Sequence, residues 1–229
     1  IAAMLCLAWN ASGALAEKSK GAEKLLADTA GKAQISVDEN TGFARFIRLT
    51  PTSQLGPVRL QTRSSVGNTR GSSKVNNGDT SLSFLRTYGS AFGITDVDTE
   101  LTLVGTKQDK LGSEHSIFKQ YYNGLPVFAG ELRTHFNSNG EMIAVNGKFI
   151  SDIKVVTKPV ITVAQATGIA FRKVEQDPTK AITAENLGNR EDKMGTPAAL
   201  IANSSTLMVF RSGIVKGTPG QDHLAYEIE

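Results

Sequence analysis

The stretch from residue 100 to residue 149 limits the fold more than any other part of the chain. Five strand-like runs, 100–108, 114–122, 125–129, 131–137 and 141–149, follow one another with only short polar breaks. Asn123-Gly124 is a favoured two-residue hairpin turn, and Ser138-Asn139-Gly140 reads as a second turn of the same kind. Runs joined this tightly pair as antiparallel neighbours, which makes the region a meander. Just upstream the period changes. Phe84, Leu85, Tyr88 and Phe92 fall at i, i+1, i+4 and i+8, Asp79 or Thr80 can act as N-cap, and Gly93 is a helix stop. One amphipathic helix followed by an antiparallel meander is an α+β plan.

The pattern recurs in outline further along. Thr162 can cap a helix running to about Gln176, with Val163, Ala166, Ile169, Ala170 and Val174 on one side. Strands at 197–202, 205–211 and 223–228 follow a polar stretch, 177–196. The last of them ends at the final residue without a turn, so the second unit reads as unfinished. Upstream of both units, Ile35 and Val37, a turn at 38–42 and the run 43–49 describe a hairpin. Residues 17–32 are polar and alanine-rich, with Leu25 and Leu26 the only strong apolar pair, and read as a short helix or a loose leader. Residues 50–79 hold many Gly, Pro, Ser and Asn, together with Arg59, Arg63, Arg70 and Lys74. They read as a solvated linker rather than as a basic arm for a partner.

The first sixteen residues are uncharged and mostly apolar, and they end in Ala14-Leu15-Ala16 before Glu17-Lys18. That is how the apolar core and cleavage site of a secretory signal look; the stretch is too short and too interrupted to span a bilayer. There is no initiator Met and no basic leading segment, so the sequence reads as starting inside the signal. Cys6 is the only cysteine, and it lies within that signal, preceded by Leu5 rather than by the small residue of a lipoprotein site. The mature chain would then have no thiol, hence no disulfide and no cysteine ligand. Twenty-five basic residues against 22 acidic ones leave a formal charge of +3, too small and dispersed to call for nucleic acid or a membrane.

Catalytic patterns are missing. A zinc protease needs two histidines at i and i+4 on a helix, with a glutamate beside them. The three histidines here, His115, His135 and His223, all lie in strand-like runs, and no pair has local ligand spacing. Isolated strand histidines are usually satisfied by packing and hydrogen bonds. There is no Gly-x-Ser-x-Gly elbow, no phosphate-binding glycine loop, and no Ser-x-x-Lys at a convincing helix start. Asp96, Asp98 and Glu100 lack the twelve-position calcium-loop pattern and read as a solvated turn. No catalytic, cofactor-binding or metal-ligating residue is therefore assigned.

The run 111–132 resembles the fungalysin/thermolysin propeptide motif: a histidine, an aromatic, a glutamine, an aromatic, then Gly-x-Pro-Val-x-x-Gly. The counterparts here are His115, Phe118, Gln120, Tyr122, Gly124, Pro126, Val127 and Gly130. The resemblance continues through 135–147, which includes Gly140 and Gly147, and takes in the preceding helix at 84–92. It covers roughly residues 80–150. Where the family often has an arginine two positions after the histidine, this chain has Ile117, which puts any polar contact of that arginine in doubt. Residues 155–229 resemble the start of a PepSY domain. The motif residues read as structural: Asn123-Gly124 turns the chain, Pro126 suits a strand start or edge, and Gly130 permits a bulge before the next strand.

The resemblance implies an α+β fold of two small helix-plus-antiparallel-sheet, cystatin-like units in tandem, the second incomplete. The chain would divide into a signal remnant (1–16), a leader with a β-hairpin and polar linker (17–79), a propeptide-like domain (80–152) and a PepSY-like domain (153–229). The implied function is that of a secreted pro-region, an intramolecular chaperone and inhibitor for a cognate metalloprotease domain in cis. Zinc, with calcium as a second candidate, would belong to that protease domain and no cofactor to this chain. Neither nucleic acid nor, after signal cleavage, a membrane is expected as partner. Two rivals are a free-standing secreted PepSY-type inhibitor or binding module and, more remotely, an enzyme using the three histidines.

Overall fold

A computed structural model describes residues 19–50, 76–176 and 202–229. The signal reading of 1–16, nearly all of the basic stretch 56–78, the polar stretch 177–196 and most of the strand at 197–202 lie outside the described residues.

The chain enters through α1 (Lys20–Asp28), whose cap is Ser19; the Ser19 hydroxyl accepts a hydrogen bond from the Ala22 N–H at 3.1 Å. Leu25 is 0% exposed, so this segment is a helix docked into the core and not a loose leader. β1 (Gln34–Val37) and β2 (Ala44–Arg48) pair antiparallel, with the chain reversed by Gly42 at φ 75°. α2 (Asn77–Tyr88) starts earlier than its apolar stripe suggests. Its cap is Asn76, whose side chain accepts from the Gly78 N–H, while Asp79 and Thr80 lie inside the first turn. A 3₁₀ turn (Gly89–Phe92) extends the helix, and Gly93 at φ 88° ends it. The carboxylates that follow belong to α3 (Val97–Glu100), a single helical turn capped by Asp96. Asp98 pairs with Arg86, and Glu100 accepts from the Thr95 and Asp96 N–H groups.

The meander is β3 (Leu101–Gln108), β4 (Glu114–Tyr122), β5 (Leu125–Phe136) and β6 (Met142–Lys148). The main sheet runs β1-β2-β6-β5-β4-β3, so the early hairpin closes onto β6 and every neighbouring pair is antiparallel. α1, α2 and the 3₁₀ turn supply Leu25, Phe84, Leu85, Tyr88 and Phe92 to one face. The sheet answers with Ile47, Phe118, Leu132, Phe136 and Val145 in one apolar cluster. Inside it Ser81 and Thr134 bond hydroxyl to hydroxyl at 2.6 Å, tying α2 to β5.

The runs 125–129 and 131–137 are one strand, not two. β5 is long and irregular because its first residues serve a second unit. There α4 (Val163–Glu175) is capped by a reciprocal Thr162–Gln165 box, and β7 (Ser205–Arg211) and β8 (Asp222–Ile228) form an antiparallel hairpin. β7 joins β5 in parallel through Val127 and Val209. The second apolar cluster is Val127, Ile150, Val209 and Ile214, with Phe128 packed edge-on against Phe210. α4 covers this unit loosely: its described side chains are half-buried or exposed, and an open apolar trough of about 880 Å³ runs between the helix and β8. The molecule is thus α+β, with α1 and α2 against one face of a mostly antiparallel sheet and α4 over the second unit.

Candidate functional site

The motif residues meet where β4 and β5 part company. From the Asn123-Gly124 turn the ladder begins regularly, with Tyr122 opposite Leu125 and Tyr121 opposite Pro126. Both turn residues have positive φ, 49° and 80°, as a two-residue hairpin requires. The next pair is Lys119 with Glu131, so residues 127–130 of β5 face only Gln120 of β4. Within that excursion Val127 reaches out to β7, and Ala129 takes the strained turn at φ 58°.

Gln120 fills the gap. It is 2% exposed, its amide Nε2 donates to the Ile150 carbonyl at 2.8 Å, and its Oε1 accepts from the Ile150 N–H at 2.8 Å. The side chain thus replaces a strand, satisfying two buried backbone groups that the ladder leaves open. This arrangement explains Gly130. The positive φ lies at Ala129, and position 130 needs glycine for room: a Cβ there would lie 2.6 Å from Gln120 Oε1 and 2.7 Å from Gln120 Cβ. Gly147 is constrained on the opposite side of β5, since a Cβ at 147 would stand 2.0 Å from the Glu131 carbonyl oxygen, and its φ is 143°.

The remaining motif positions divide between the two apolar clusters. Phe118 lies in the large one, Val127 in the small one, and Tyr122 packs against the small one. Pro126 is second in β5, beside the register break. Gly140, at φ 76°, closes the β5–β6 connection, which is longer than the two-residue turn that Ser138-Asn139-Gly140 suggests. Asn137 organises it, its Oδ1 accepting from the Asn139 and Glu141 N–H groups. Ile117 stands opposite Arg133, whose guanidinium turns to Glu131 at 2.7 Å; Lys119 reaches the same carboxylate at 3.1 Å. Partial burial pushes the Glu131 carboxyl up, but the two cations outweigh it and hold it below the usual range.

His115, read from the motif as structural, has a partner the sequence spacing conceals. It stands opposite His135 in the ladder, with the two Nδ1 atoms 2.8 Å apart. His135 Nε2 lies 2.6 Å from Asn146 Oδ1, and His115 Nε2 lies 3.4 Å from Asp109 Oδ2. His223 is on β8, opposite Phe210 and away from this pair. Among the described residues, no group of three or more His, Cys, Asp or Glu side chains is placed to hold a metal ion. What the motif builds is a joint between two packed units, made of an amide clamp, a strand excursion and glycines at close approaches.

Residues 99–149 match the Fungalysin/Thermolysin Propeptide Motif. Over 131 residues the chain is 31% identical to the thermolysins of Alicyclobacillus acidocaldarius subsp. acidocaldarius, Bacillus caldolyticus and Bacillus sp. (strain EA1), a span that is 56% of this chain and 20% of each relative. The chain therefore spans about a fifth of the length of these curated relatives. It carries the propeptide motif of thermolysin-type proteases, in agreement with the resemblance drawn from its residues.

Proposed function

We propose that this chain is the pro-region of a secreted thermolysin-type zinc metalloendopeptidase, acting in cis as a folding chaperone and inhibitor for the protease domain. The observation that carries the reading is the propeptide-motif match over 99–149 together with the identity to a fifth of three thermolysins. The geometry supports it, because Gln120, Val127 and Gly130 of the motif form a joint between two packed units. The zinc, with calcium as a second candidate, belongs to the protease domain. In this reading residues 1–16 are a signal remnant, 17–79 a leader whose α1 and β1–β2 hairpin pack into the core of the unit that follows, 80–152 the propeptide-like unit and 153–229 a PepSY-like unit. The plan is then two cystatin-like units in tandem. Among the described residues no helix is long and apolar enough to cross a membrane.

The test is a titration of the purified chain against a mature thermolysin-type protease from the same locus, alongside refolding of the denatured protease. Reversible inhibition at nanomolar concentration, with a higher yield of refolded protease, is the expected result. Neither effect, at a locus without such a protease, would replace this reading with a free-standing secreted binding module.

A further inference from the structure

The His115–His135 contact sets a condition that hydrogen-bond chemistry makes strict. A 2.8 Å approach of two imidazole Nδ1 atoms requires a hydrogen on one and a bare lone pair on the other. The outer nitrogens face oxygen: Asn146 Oδ1 at 2.6 Å from His135 Nε2 and Asp109 Oδ2 at 3.4 Å from His115 Nε2. Each outer nitrogen can donate toward its oxygen when it carries a hydrogen. Whichever tautomers the outer nitrogens take, the bridge admits a hydrogen on only one of the two Nδ1 atoms at a time, with the Asp109 carboxylate beside His115. That carboxylate is oriented by the Leu111 and Ser113 N–H groups, which both bond to its other oxygen.

We propose that this relay is an acid-gated clamp between β4 and β5, closed while the two imidazoles share one bridging hydrogen and opened when acid places a hydrogen on both Nδ1 atoms. A hydrogen on both would set N–H against N–H and add positive charge at the same distance, and one ring must turn away. The neighbourhood offers the extra charge little relief. Lys107 stands opposite His115 on β3; on β5 Arg133 precedes His135 by two positions and is bonded to Glu131; on β2 Arg48 stands opposite Ala144, the β6 partner of His135. Asp109 is the carboxylate beside His115, and Glu114, the adjacent residue, alternates to the other side of β4. In the alkaline direction Asn146 can turn its amide and offer Nδ2 to His135, which gives a fully paired neutral chain. The gate therefore acts on one side only. Below about pH 6.5, where both imidazoles of an unfolded chain become charged, the closed form binds fewer protons than the opened or unfolded one, so there the folded state loses ground as pH falls. This inference concerns the fold itself and stands whether or not the chain acts on a protease.

The experiment uses the full chain with ¹⁵N-labelled histidine, following imidazole nitrogens and the amides of 115, 117, 133 and 135 from about pH 8 to about pH 5, the range in which imidazoles change charge. His115 and His135 are expected to change in one coupled step that moves those amides, while His223, outside the relay, changes separately. Urea unfolding from about pH 6.5 to about pH 5 compares wild type with His135→Gln, whose amide can donate to or accept from His115 in either state. The wild-type unfolded-to-folded ratio is expected to rise about five- to thirty-fold more than that of the variant. His115→Gln serves as the second variant if the first does not fold. Two independent histidine steps with unmoved ladder amides, or an equal acid slope in the variant that folds, would overturn the proposal.

Discussion

Gln120 shows how a single side chain can stand in for a strand. Replacing it with leucine keeps the volume but strands the Ile150 N–H and C=O, each of which costs about 1–3 kcal/mol when buried without a partner. We therefore expect Gln120→Leu to lower the unfolding free energy by about 2–4 kcal/mol, read from the urea midpoint at unchanged slope. Gly147→Ala should cost at least as much, since the added Cβ meets backbone and cannot be accommodated by a side-chain rotation. Asp222 gives a prediction in pH. Its side chain is 6% exposed; Arg211 bonds it through Nε and Nη2 at 2.7 and 2.9 Å, and the Lys154 N–H adds a third bond. Burial pushes this carboxyl up, but those donors prevail and hold it below the usual range. A depressed carboxylate contributes stability above its unfolded value, near 3.9, and loses it as pH falls through the folded value. Asp222→Asn should therefore be less stable than wild type at neutral pH and show a flatter acid limb, measured by thermal melts at a series of pH values. Gln120 and Gly130 could be quoted from the chain, but their mutual contact could not. Continuing the register of the Asn123-Gly124 turn would put Leu132 opposite His115. The excursion at 127–130 advances the ladder by three residues and brings His135 there instead.

Secondary-structure elements with a regular period were legible, and those shaped by tertiary demand were not. β4 and β7 run over 114–122 and 205–211, the bounds their alternation suggests, and α4 begins at the Thr162 cap. β5 was not recognisable as one strand, because the Ala129-Gly130 interruption carries the chemistry of a turn while serving as a bulge. α1 was ambiguous for a related reason. Only Leu25 and Leu26 mark its apolar side, and its burial depends on small residues such as Gly21, where a Cβ would lie 2.6 Å from the Tyr88 carbonyl oxygen. The β7–β8 hairpin meets the main sheet in parallel through Val127 and Val209. Truncating Val209 to alanine should remove about 2–3 kcal/mol by leaving a cavity in a cluster too small to collapse around it. Hydrogen exchange should locate that loss in β7 and β8, with β4 and β6 amides keeping their protection.

At the scale of the molecule the two apolar clusters are unequal: nineteen buried residues in the large one against four in the small one, among the described residues. Unfolding should accordingly be sequential. In urea, the amide signals of β8 are expected to be lost at lower concentration than those of β4; coincident loss would mean that the joint at Gln120 couples the units into one cooperative block. The same asymmetry explains how much of the whole was readable. Most of the nineteen lie in periodic runs that announce a core, whereas the four of the small cluster come from separate segments, so the runs 125–129 and 205–211 are legible but their meeting is not.

Because β5 serves both sheets, the molecule has no seam at which it can be divided. A piece ending between β6 and β7 would keep the main sheet but bare the edge of residues 125–128, and the complementary piece would carry a hairpin without its seat. Any graft of the α4–β7–β8 module onto another scaffold must bring its own copy of that borrowed edge, so exchange between related chains should succeed only when the crossover lies before the Asn123-Gly124 turn or beyond β8.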